Sequence, residues 1–77
     1  MENELRENLE SIKSQLIELR RNVHEKRGQV EEEYDRAFDA CPRSSETRYF
    51  MALFSRLTSA EKSLGSAINY LDSALGV

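Results

Sequence analysis

The stretch Leu57-Thr58-Ser59-Ala60-Glu61-Lys62-Ser63-Leu64-Gly65-Ser66-Ala67-Ile68-Asn69-Tyr70-Leu71-Asp72-Ser73-Ala74 repeats itself every seven residues. Leu57, Leu64 and Leu71 recur at one position, and Ser59-Ala60, Ser66-Ala67 and Ser73-Ala74 at another. Extended upstream, the stripe reads Phe50, Leu53, Leu57, Ala60, Leu64, Ala67, Leu71, Ala74. Steps of three and four throughout make this an amphipathic helix, because strands alternate with a period of two. Bulky residues at one site and mostly alanine at the other form a heptad seam against which a second helix comes close.

Outward from this stretch, the chain has one proline, Pro42, within Cys41-Pro42-Arg43-Ser44-Ser45-Glu46. Proline disfavours helical geometry in the residue before it and cannot continue a helix. Ser44 or Ser45 can cap a new helix by accepting an orphan amide bond, and Glu46 suits the positive end of that helix. The expected order is a helix over about 3–40, a turn over about 41–44 and a helix over about 45–75.

The first helix carries Leu5, Leu9, Ile12, Leu16, Leu19, Val23, Val30, Tyr34, Ala37 and Cys41 as its apolar stripe. Spacing alternates four and three up to Val23 and resumes at Val30 through Arg27. That irregularity, with Gly28 beside it, predicts a weak or kinked middle or a place that needs room and charge. A short turn folds the helices into an antiparallel hairpin whose facing residues have numbers summing to about 87. Val30 then meets Leu57, Val23 meets Leu64 and Arg27 faces Ala60. Residues 1–10 should overhang the second helix and leave Leu5 and Leu9 without a partner in the chain. Phe54, Ile68 and Leu75 widen the second stripe beyond one seam, which calls for more than one neighbouring helix. The expected fold is all-α: a single hairpin domain over residues 1–77, assembling into a helical homo-oligomer.

Composition sets bounds. At 77 residues the chain is one domain at most, with a marginal core of its own. Cys41 is its only cysteine, so no disulfide can form within the chain. No apolar run reaches the roughly 20 residues of a membrane span. The acidic start Met1-Glu2-Asn3-Glu4 does not resemble a signal peptide, so a cytoplasmic setting is expected. A net charge of −3 argues against binding polymeric nucleic acid, which requires many phosphates to be neutralised.

Catalytic and metal signatures are sparse. His24 is the single histidine, and no Cys/His set of metal-ligand spacing or glycine-rich phosphate loop is present. The expectation is a non-enzyme without cofactor or metal. Arg20, Arg21, Lys26 and Arg27 form the one dense basic group. Arg20, His24 and Arg27 fall on one helix face, with Lys26 beside it, and approach Ser59, Ser63 and Ser66 in the expected register. Guanidinium forks and hydroxyls suit a phosphate. The plain alternative is a solvated basic stripe paired with acids of another subunit, such as Glu18 or Glu61. Tyr70 lies off the main seam, where its ring serves either a stacked base or an interface.

Two resemblances bear on function. Leu5-Arg6 through Ile12 and Leu16 to Arg20-Arg21 looks like the opening helix of AroQ-type chorismate mutases. Ser11-Ile12-Lys13-Ser14 replaces that family's isoleucine–aspartate repeat, and the chain lacks length for a third helix. Cys41-Pro42-Arg43-Ser44-Ser45-Glu46, followed by Leu57, Ala60, Ala67 and Ile68, resembles the hairpin domain of phage anti-defence sponges, found in anti-CBASS and anti-Thoeris proteins. The resemblance spans residues 41–68. It implies a homo-oligomer, often a hexamer, that sequesters a cyclic di- or oligonucleotide immune signal in the host cytoplasm without cleaving it. Lys26 corresponds to a basic position early in that family's hairpin. The ligand-binding set expected on this reading is Arg20, His24, Lys26, Arg27 and Tyr70. The alternative is a structural or regulatory helical module, an adaptor or co-chaperone, binding a partner protein through its apolar stripe.

Overall fold

The computed structural model describes residues 2–76. It contains two helices, α1 over Glu2–Ala40 and α2 over Ser45–Leu75. They pack antiparallel into a rod of 58 × 14 × 14 Å. At 1.5 Å per residue, α1 alone accounts for almost the whole of that length. A sharp kink at Gly28 is therefore absent. A Cβ built there would meet nothing within 4 Å, so the glycine is neither a bend nor a close approach.

The turn works as the sequence implies. Pro42 stops α1, whose end is tied by Cys41 N–H donating to Ala37 O at 2.9 Å. Ser44 is the N-cap of α2: its Oγ accepts from Thr47 N–H at 3.0 Å. The Thr47 hydroxyl donates back to Cys41 O at 2.7 Å and so joins the start of α2 to the end of α1. Among the described residues Thr47 and Ala37 are the two that are buried, and both flank this turn.

The seam differs from the sequence expectation in two ways. First, the cross-helix pairs Lys13–Asp72, His24–Glu61 and Arg20–Gly65 each have numbers totalling 85, so α2 is shifted by about two residues along α1. Arg6 Nη2 reaches Leu75 O at 2.8 Å, and Leu5 and Leu9 share a groove with Ala74 and Leu75. The expected overhang of residues 1–10 is thus largely closed, and Leu9 is half-buried.

Second, α1 does not use its whole apolar stripe against α2. Leu9, Leu16, Val23, Val30 and Ala37 form the inward line, flanked by half-buried Lys13, Arg27 and Tyr34. Leu5, Ile12 and Leu19 remain 62%, 46% and 48% exposed. The cause lies further along the helix. The column through Leu5, Ile12 and Leu19 continues into Lys26 and Glu33, whereas the column through Lys13, Arg20 and Arg27 continues into Tyr34 and Cys41. Long basic stems can lie along an apolar seam with their charges at its edge. Phe54, Ile68 and Leu75, expected to need another subunit, are half-buried within the hairpin itself. No helix here is long and apolar enough to cross a membrane.

Candidate functional site

Three of the five residues singled out from sequence lie on one flank of the seam. Arg20, His24 and Arg27 point the same way because steps of four and three return to one helix face. Glu61 of α2 reaches into them. Its Oε1 lies 2.8 Å from His24 Nδ1, and its Oε2 lies 3.1 Å from Arg27 Nη1. The Glu61 side chain is only 16% exposed. Oε2 is enclosed, and Arg27 meets it as a charge without the alignment of a hydrogen bond. With a proton on Nδ1, His24 donates to Glu61. With Nδ1 bare, the ring can instead accept from Arg27 Nη2, 3.4 Å away. The Arg27 guanidinium also stands over the Phe54 ring, 5.9 Å from its centroid.

Arg20 is different. Its guanidinium lies against Gly65, where a Cβ would sit 3.3 Å from Cζ and Nη2. Among the described residues no carboxylate lies within ion-pair distance of it. Gly65 is thus a close-approach glycine, and Arg20 keeps its donors available. Ser59, Ser63 and Ser66 are exposed and make no hydrogen bond to this group among the described residues. The acids expected from another subunit are satisfied within the chain, since Glu18 pairs with Arg21 and Glu61 with His24 and Arg27.

Lys26 and Tyr70 do not join the cluster. Lys26 is one residue before Arg27, hence about 100° around the helix. Its Nζ donates to Gln29 Oε1 at 3.5 Å, and it borders a surface depression with Val30, Glu32 and Glu33. Tyr70 is 77% exposed on the outer side of α2. Glu61, expected to reach the basic group from another subunit, comes to it from the same chain. Its seven-residue relation to Phe54 and Ile68, both on the flank of the α2 seam, was the signal for an intrachain role.

A groove lined by Glu31, Tyr34, Asp35, Met51 and Phe54 encloses about 150 Å³. That is below the roughly 300–1,000 Å³ of small-molecule sites. A depression of about 540 Å³ bounded by Lys13, Ile17, Asp72 and Leu75 lies open on the surface. Among the described residues no group of three or more His, Cys, Asp or Glu side chains is arranged to hold a metal. No protein-family model matches the chain, and no curated protein or solved structure matches it.

Proposed function

We propose that this chain is a non-catalytic helical interaction module, acting by docking helices against its exposed apolar face. The observation that carries this reading is the column Leu5, Ile12 and Leu19. These are three large aliphatic side chains at seven-residue intervals, each about half exposed or more. Each forgoes part of the ~1.5–3 kcal/mol available from full burial, which favours a surface that works by being covered. The charged side of the rod supports the same reading. Glu61 ties its basic residues into the hairpin instead of leaving all of them for a substrate. The test is photocrosslinking in cells from a benzophenone side chain at position 12. A discrete protein adduct, its own copy included, is expected; no protein adduct overturns the reading.

Arg20 favours a second reading, the cyclic-nucleotide sponge implied by the resemblance of residues 41–68. Its unpaired guanidinium, near His24 and Arg27, leaves the cluster one positive charge in excess of Glu61. A phosphate there would gain charge-assisted hydrogen bonds. Calorimetric titration with cyclic di- and trinucleotides tests it. Binding that weakens by about one to two decades in Arg20→Ala supports the sponge, and no binding by the wild type removes it.

A further inference from the structure

We infer that the apolar face of the hairpin is covered by a second copy of this chain, giving a four-helix bundle with both turns at one end. The inference rests on the interaction-module reading and names the partner.

The two flanks of the seam are chemically unlike. On one flank stand the cross-helix polar contacts: Lys13 with Asp72, Arg20 on Gly65, and His24 and Arg27 on Glu61. The other flank follows from the heptad geometry, because residues three and four away from an inward position fall on opposite sides of it. On α1 it carries Leu5, Ile12 and Leu19. On α2 it carries Ala60, Ala67 and Ala74. Leu5 and Ala74 do line one groove, as this placement requires. Each hairpin therefore presents a column of knobs beside a column of small residues.

Rotation by half a turn about an axis parallel to the helices sets each knob column over the alanine column of the other copy. It preserves the antiparallel direction and the register already used within the hairpin. Ile12 then comes to Ala74 and Leu19 to Ala67. A self-complementary surface of this kind is what a two-fold interface requires.

The border of this face on α1 points to the same partner. Asn8, Gln15, Asn22 and Gln29 recur at seven-residue spacing, all exposed, in a helix otherwise rich in charge. In the register of that rotation, Gln15 and Asn22 of one copy come level with Tyr70 and Ser63 of the other, both exposed in the hairpin. These are uncharged polar side chains, which amides can meet as donor or acceptor. Size agrees as well. One face of a 58 × 14 Å rod offers about 800 Å², the area each partner of a standard stable interface buries.

The experiment uses the full chain and its native thiol. Sedimentation equilibrium should show a dimer, and nitroxide labels on exposed Cys41 should lie close together. Ile12→Glu with Leu19→Glu puts charge on the face to be covered and should weaken dimerisation by at least about tenfold, while the inward line Leu9, Leu16, Val23, Val30 and Ala37 is kept. Ile17→Glu, also exposed but on the opposite flank, should not. A helical monomer at high micromolar concentration would mean that the face awaits a different protein, and it overturns the inference. So does a label separation near the 58 Å length of the rod, which would place the turns at opposite ends. Equal sensitivity to Ile17→Glu overturns it too. A monomer whose position 12 still crosslinks to another protein in cells would leave the module reading standing.

Discussion

Arg27 Nη1 lies 3.1 Å from Glu61 Oε2 along the flank of an apolar seam, with both side chains mostly covered. Such a pair costs desolvation that its attraction barely repays, yet stranding one partner is worse. Glu61→Leu should lower stability by about 1–3 kcal/mol, because Arg27 loses its counter-charge. Arg27→Leu combined with Glu61→Leu should recover most or all of that loss. Thermal melts of the three proteins decide it, and a double variant as weak as the single would show that the pair is net stabilising.

Gly28 should be improvable. Its position in an unbroken helix and the open space around it mean that alanine adds helix propensity without a clash, worth up to about 1 kcal/mol. Gly65→Ala should gain less, since the new methyl must displace the Arg20 guanidinium. A Gly28→Ala protein melting below wild type would reveal a packing role for that glycine.

The turn should be sensitive to a single oxygen atom. Thr47→Val keeps the shape but removes the donor to Cys41 O and the contact of 2.8 Å with Ser44 Oγ. The expected loss is about 1–3 kcal/mol. Ser44→Ala, which removes the N-cap acceptor, should cost about 0.5–2 kcal/mol. Because the two hydroxyls touch, the double variant should lose less than the separate effects combined, and chemical denaturation of all four proteins reads the coupling directly.

Tyr70 separates the two functional readings. It stands away from Arg20, His24 and Arg27, so it cannot stack on a base held by them in a single hairpin. Tyr70→Ala should leave any nucleotide affinity of a monomeric state unchanged. If instead it weakens binding as much as Arg20→Ala, the ligand bridges two copies.

The helix bounds were legible because their causes are local. Pro42 and Ser44 act within one turn of themselves, and α1 and α2 end within a residue of the expected positions. The facing of α1 was not. Leu5, Leu9, Ile12, Leu16, Leu19 and Val23 satisfy two overlapping stripes, and only the residues beyond Val23 choose between them. Tyr34 extends one stripe inward, while exposed Lys26 turns the other outward. The same choice divided the expected site. It put Arg20, His24 and Arg27 on one flank and Lys26 on the other, and a shift of two residues brought Glu61 to the cluster in place of the serines.

The burial of Ala37 and Thr47 beside the turn has a kinetic consequence. Closing a loop of so few residues carries little entropic cost, so the first cross-helix contacts to form are those nearest Pro42. Each further pair then adds to its neighbour, as teeth do in a zip. Opening should run the other way, beginning where Arg6 holds the Leu75 carbonyl and ending at the turn. Amide protons near Leu9 and Leu71 should therefore exchange with solvent long before those near Ala37, even in a protein whose bulk melting looks all-or-none.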